Sequence, residues 1–287
     1  MKRLLLAILF ICCASFAYAQ KTTKLNFPKH SFGIRAGALY SKVPQSEMLL
    51  SPENHLVSNS WEEMSEYKYL TLNGAGFHIG GVYEVALTKT NRWFFQTGLD
   101  LQYINTIKKK NVIVEDQNSW NGDCWNFQNL TANSLFIDIP MMFSYKFPLG
   151  KDFGIYPSFG LTHTIGLYSC LSGEREGFEY DYNVWTGEVE RISTTEGLQP
   201  FEIKGFRTDY EKEEYNMGIK EQPLHYQLSP YSRYHLNFRA EVNFIIKNNI
   251  VLGVNTSFML LNSMMDGLFS GDSQLWCNVG LSVGYNF

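Results

Sequence analysis

The run SLFIDIPMMFSYKF (Ser134–Phe147), the turn PLGKD (148–152) and the run FGIYPSFGLTHTIGLY (Phe153–Tyr168) decide the fold. In the first run Leu135, Ile137, Ile139, Met141, Phe143, Tyr145 and Phe147 alternate with Asp138, Pro140, Ser144 and Lys146. Phe136 and Met142 are the exceptions. A period of two marks a strand with one oily and one wet face. A Pro/Gly turn reverses the chain. The second run sets Phe153, Ile155, Phe159, Leu161, Ile165 and Leu167 against Gly154, Ser158, Gly160, Thr162 and Thr164. Small, polar and charged groups on one face predict a wet interior, with the oily face turned to lipid. The hairpin reads as one unit of a transmembrane β-barrel.

Outward from it, the same alternation recurs at Ser31–Tyr40, Gly74–Leu87, Arg92–Thr106, Ser232–Ile246, 249–261 and 273–287. That makes eight strands. The connections alternate long, short, long, short, long, short, long. Outer-membrane barrels have an even strand number, short turns on the periplasmic side and long external loops. The expectation is therefore an all-β chain, one eight-stranded antiparallel outer-membrane barrel with both termini in the periplasm. A soluble eight-stranded barrel of lipocalin type shows the same alternation with the faces reversed. The N-terminus and the long/short rhythm favour the membrane.

MKRLLLAILFICCASFAYAQ opens with Lys2 and Arg3, continues with an apolar run to Phe16 and ends in Ala17-Tyr18-Ala19. This is the pattern of a secretory signal peptide over residues 1–19. The barrel domain is then 20–287. No other stretch approaches the roughly 18 apolar residues of a spanning helix. Loss of Lys2 and Arg3 takes the formal net charge from −4 to −6, which argues against a nucleic-acid partner. Aromatics make up 15% of the chain, which suits the girdles of a barrel at both membrane interfaces. Cys124, Cys170 and Cys277 remain after cleavage. A Cys124–Cys170 bridge and unpaired loop thiols both fit the sequence. Cys277 falls on the oily register.

Several motifs carry a family likeness. Phe136-Ile137-Asp138-Ile139-Pro140 with Tyr145-Lys146-Phe147 resembles a characteristic strand of the PorT-like outer-membrane β-barrel proteins of Bacteroidota. Gly33, Arg35 and Gly37 resemble that family's opening strand. Phe95-Gln96-Thr97-Gly98-Leu99 and the closing Gly284-Tyr285-Asn286-Phe287 are similar to two further strands. The resemblance implies a barrel in the outer membrane of a Gram-negative cell. It implies no single activity, although some relatives serve type IX secretion.

The wet face carries Arg35, His78, Glu84, Asp100, Asp138, Lys146, Arg239 and Glu241. An eight-stranded barrel is just wide enough for side chains to fill it. Opposite charges there are expected to pair into a lumen network of Arg35, Glu84, Asp100, Asp138, Lys146, Arg239 and Glu241. An ion or proton path is the sharper alternative.

The connection 169–231 holds thirteen acidic and six basic residues. It also carries Tyr180, Tyr182 and Trp185, candidates for contact with a protein or glycan. A β-hairpin extension above the membrane is the plainer reading of the same segment. Lys108–Lys110 reads as a charged loop base near lipid headgroups. No Ser-His-Asp spacing, nucleophile elbow or metal-ligand spacing appears. No catalytic residue, metal or cofactor is assigned. A hydrolase would have to rest on His225 or His235, since His163 lies on the oily register. The expected role is a non-enzymatic surface barrel whose external loops bind. An envelope-transport or secretion component is the alternative, an outer-membrane hydrolase the third reading. Expected partners are outer-membrane lipid and the barrel-assembly machinery, through the C-terminal strand ending in Phe287.

Overall fold

The computed structural model describes residues 26–50, 67–106, 112–115, 124–182, 189–206, 233–262 and 277–287. Within them lie β1 (His30–Leu50), β2 (Tyr67–Ala86), β3 (Trp93–Thr106), β4 (Val112–Glu115), β5 (Cys124–Tyr145) and β6 (Phe147–Pro148). There follow β7 (Phe153–Tyr182), β8 (Val189–Ser193), β9 (Gln199–Lys204), β10 (Tyr234–Ile246), β11 (Ile250–Asn262) and β12 (Cys277–Asn286).

Eight long strands close into a ring. β1, β2, β3, β5, β7, β10, β11 and β12 each pair antiparallel with the next, and β12 returns to β1 with Gly33 opposite Asn286 and Lys42 opposite Cys277. Closure leaves the wall no free edge, which is what hydrocarbon requires of a spanning sheet. The turn at 246–249 shows how the short connections work. Lys247 and Asn248 both have positive φ, 51° and 65°, and the Asn249 amide donates to the Ile246 carbonyl at 3.1 Å. This is a type I′ turn, whose twist matches that of the flanking strands.

The predicted faces are the observed ones. Phe32, Ile34 and Tyr40 on β1, Phe77 and Ile79 on β2, and Leu281, Val283 and Tyr285 on β12 point outward and are exposed. Arg35, His78, Glu84 and Asp138 point inward and are buried. The core is thus polar and the surface apolar, the arrangement of a transmembrane barrel and the reverse of a lipocalin. Aromatic rings gather in two belts. The lower belt, at the short-turn end, includes Phe32 against Tyr83, Trp93 against Tyr145 and Tyr285 against Phe287. The upper belt includes Phe77 against Tyr103 and His163 against Tyr234. Phe32 and Tyr40 mark the two belts on β1. At about 3.3 Å per residue and a tilt near 40°, they stand roughly 20 Å apart along the barrel axis. That is close to the height of an outer-membrane apolar band.

The wall is uneven. β1, β2, β5 and β7 have 21, 20, 22 and 30 residues, and the described parts of β10, β11 and β12 have 13, 13 and 10. Above the upper belt β7 keeps β5 on one side. On the other side it exchanges β10 for β9 (Cys170 opposite Lys204) and then β8 (Phe178 opposite Ser193). β4 pairs with β5 and touches β1 at Leu50. Within 107–133 and 169–231, which the sequence presents as long loops, the described strands β4, β8 and β9 and the upper parts of β5 and β7 continue the sheet out of the barrel. Alternation weakens there because neither face meets hydrocarbon. A bulge leaves Leu167 without a partner between the pairs Leu135–Tyr168 and Phe136–Gly166. It marks the height at which the wall becomes the arm.

Candidate functional site

Three layers fill the lumen. The middle one is ionic. Lys146 Nζ lies 2.6 Å from Glu84 Oε2, and Glu84 Oε1 lies 3.4 Å from Arg35. Arg35 reaches Glu241 at 3.6 Å and donates to the Tyr156 hydroxyl at 2.8 Å. Glu241 Oε1 sits 2.7 Å from Arg239 Nε. Arg239 lies 3.7 Å from Asp100 and 3.9 Å from Asp138. His78 Nδ1 lies 3.0 Å from Asp100, and the Thr164 hydroxyl donates to Asp138 at 2.6 Å. All seven residues of the expected network therefore join one chain of contacts, with His78 as an eighth member. Taking an isolated charge out of water costs several kcal/mol, so alternation of sign is what allows these groups to be there. The network stitches β1, β2, β3, β5 and β10 across the interior.

Glycines on the inward register make room for these long side chains. A methyl group at position 284 would stand 2.7 Å from Arg35 Cγ, and one at position 80 would stand 2.8 Å from Asp100 Oδ1. One at position 37 would collide with the His78 ring. Small barrels commonly alternate large and small residues inside in this way. An open pocket of about 400 Å³ at the short-turn mouth reaches Lys146 between Phe27 and Ile245, but the spaces deeper beside the network are small. One cavity, bordered by His78, Asp100, Asp138, Arg239 and Asn278, measures about 20 Å³. A second, bordered by Arg35, Arg239 and Glu241, is of the same size. Each has room for about one water.

Above and below this layer lie two apolar caps. At the short-turn end Phe27, Phe94, Tyr156, Ile245 and Val251 pack together. Phe27 meets Phe94 edge-on at 6.4 Å, and Lys146 Nζ lies 4.1 Å from the centre of the Phe94 ring. At the external end Leu39, Ile104, Phe136 and Phe206 form the second cap, with Met259 against it. Phe206 enters from the segment after β9, its ring lying where a side chain at Gly166 would be. The sequence reading left Phe136 and Met142 as exceptions to the alternation. Both are fully buried inside the barrel. It did not single out Phe94, Tyr156, Ile245 or Val251. The available signal was an aromatic or aliphatic residue on the wet register near a strand end.

The remaining candidates separate. His235 faces inward, buried, 6.2 Å from the Phe136 ring. His163 faces outward and shares a 2.7 Å hydrogen bond with the Tyr234 hydroxyl. His225, Lys108–Lys110 and Trp185 lie outside the described residues. Tyr180 and Tyr182 stand opposite Arg191 and Val189 in the β7–β8 hairpin. Of the two readings of Cys124 and Cys170, the structure excludes the bridge. Cys170 is free, and the register sets it opposite Asn133 while Cys124 stands opposite Phe178. Eight residues of strand separate the two positions, about 26 Å, against the 4.4–6.8 Å that a disulfide spans. Instead the Cys170 thiol donates to Glu202 at 3.3 Å.

No protein-family model matches the sequence, and no curated protein matches it. Among solved structures the chain is similar to Ail, the attachment invasion locus protein of Yersinia pestis. The identity is 13% and the TM-score 0.33, covering 91% of this chain and 100% of that one. It is also similar to the N-terminal β-barrel domain of Pseudomonas aeruginosa OprF, at 12% identity and a TM-score of 0.26, covering 92% and 100%. The COG4313 outer membrane channel from Pseudomonas putida F1 follows at 10% identity and 0.23, covering 91% and 97%. At these scores the assignment of the fold rests on the ring of strands itself.

Proposed function

We propose that this chain is an outer-membrane barrel that works as a closed anchor and presents an external binding arm. The observation that carries the reading is the uneven wall. Strands β5 and β7 run far past the upper aromatic belt and recruit β8 and β9, and the β1–β2 pair also runs past it, to Leu50 opposite Tyr67. A barrel needs only nine to eleven residues per strand to cross a bilayer, so the added length serves something outside it. Rigid scaffolds commonly carry their binding surfaces on such projections. The ionic layer and the two caps fit an anchor better than a pore. We read the chain as non-enzymatic, with a protein or a glycan as partner and the termini on the periplasmic side. The experiment is a pull-down from native membranes with the full chain and with residues 172–204 replaced by a short turn. Partners held by the first and lost from the second support the reading. An identical set from both would overturn it.

The motifs that resemble those of PorT-like barrels favour a second reading, attachment to an envelope-transport or secretion assembly. It predicts a stable secretion-machine component in the same pull-down, retained when the arm is removed.

A further inference from the structure

The short-turn rim carries a ring of cations. Lys29 precedes β1, Lys89 and Arg92 lie between β2 and β3, Lys151 between β5 and β7, and Lys247 between β10 and β11. The four lysines are exposed, and among the described residues no carboxylate stands within ion-pairing distance of them. Arg92 is half-buried and donates to the Lys146 carbonyl at 3.3 Å. Asp152 is the one acidic side chain on this rim among the described residues.

The ring is held in place. The Ala86 amide donates to the Lys29 carbonyl at 2.8 Å, the Lys146 amide to Arg92 at 2.9 Å and the Lys247 amide to Asp152 at 2.7 Å. Asn91 and Asn248 donate from two turns to the carbonyls of Phe27 and Asn26, tying down the segment that crosses the mouth. The backbone that carries Lys29, Arg92 and Lys247 therefore keeps a fixed height. Each cation of the ring lies within three residues of an outward apolar side chain: Phe32, Leu87, Trp93, Phe153 or Ile250. At about 3.3 Å per residue that is within roughly 10 Å of the hydrocarbon edge, the depth of lipid headgroups.

We propose that this rim binds anionic phospholipid headgroups of the leaflet it faces. The inference rests on the membrane placement proposed above. Basic residues at a membrane surface gain from anionic lipid, and the gain is screened by salt. The distribution argues for lipid over an acidic protein or polymer. The charges sit at four places around the circumference, as an annulus of lipid would meet them, and are not gathered on one side. They are also mostly lysines, point charges that suit mobile headgroups better than a shaped partner. The external connection 169–231, with its thirteen acids and six bases, carries the opposite sign.

The test uses the full chain in nanodiscs of phosphatidylcholine and in an equal mixture with phosphatidylglycerol. Spin-labelled lipids of each headgroup report relative affinity for the protein surface. The expected preference for phosphatidylglycerol is roughly two- to fivefold. It should fall towards one in high salt. It should also fall in a variant carrying Lys29→Gln, Lys89→Gln, Lys151→Gln and Lys247→Gln. The salt dependence of the unaltered chain stands as a test even where that variant fails to fold. Equal affinity for the two lipids would overturn the proposal, as would a preference that survives the four substitutions. Salt-sensitive capture of soluble polyglutamate without lipid preference would also overturn it, in favour of an acidic partner. A chain that does not enter nanodiscs at all would sink the membrane placement. Insertion without headgroup preference would sink this inference alone.

Discussion

Lys146 ends in a space with almost no access to water, and Glu84 beside it is equally buried. Removing one partner of such a pair leaves a charge uncompensated, at a typical cost of about 3–5 kcal/mol. Glu84→Gln strips the counter-charge from both Lys146 and Arg35. It should markedly lower the temperature at which the folded band disappears in semi-native electrophoresis. Lys146→Met removes a charge but keeps the stem, and Glu84 retains Arg35, so the fall should be smaller. Equal losses in the two variants would contradict the shared role given to Glu84. A side chain at Gly284 would press on Arg35 Cγ and on the Ile34 carbonyl. Gly284→Val should therefore destabilise the barrel, whereas Gly150→Ala, where no atom stands within 4 Å, should leave the melting temperature unchanged. The charged members of the lumen were legible in the sequence because they interrupt oily alternation. Tyr156 and Phe94 were not, because an aromatic on the wet register looks like noise until the caps are seen.

At the scale of elements, the arm and the barrel have separate supports. β8 and β9 are held by β7 above the upper belt, while the ring is closed by pairings below it. Replacing residues 172–204 by a short turn should leave the heat-modifiable shift of the barrel in place. Loss of that shift would mean the arm helps the ring to close. The arm's thiol offers a chemical check. Burial raises the Cys170 thiol above the ordinary 9.0, the Tyr168 hydroxyl opposes this, and the Glu202 carboxylate adds to the rise. A raised thiol pKa means less thiolate at neutral pH. Alkylation of Cys170 should be slower than that of a free thiol at pH 7 and should still be climbing above pH 9. It should proceed without prior reduction, since Cys124 lies far along the sheet. The arm itself was only half legible. A hairpin extension was expected from 169–231, but the growth of β5 back to Cys124 was not, because strands without a lipid face lose the period-two signal.

At the scale of the whole molecule, the stacked caps and ionic layer should make the barrel electrically silent in a planar bilayer. Phe27→Ala and Phe206→Ala together should stay silent, because the ionic layer still fills the bore. Steady single-channel steps from the unaltered chain would mean that the layers do not close it. The orientation of the faces is testable in the same preparation. Cysteines placed at Leu281 or Val283 should react with a lipid-soluble reagent, and cysteines at Ser158 or Asn243 should not.

Sequence alone determined the two faces of each membrane-spanning stretch, the eight strands of the ring and the rhythm of their connections. Each follows from the period-two geometry of an extended chain, which any single strand already expresses. Which face lay inside was a separate matter, decided by ring closure, because alternation is symmetric between a barrel and its inverse. The tertiary structure also chose the partners within the lumen. Arg35 meets Glu84 from the next strand, Tyr156 from across the barrel and Glu241 from far along the chain. Those distances depend on register and curvature, which strands acquire only when they pair.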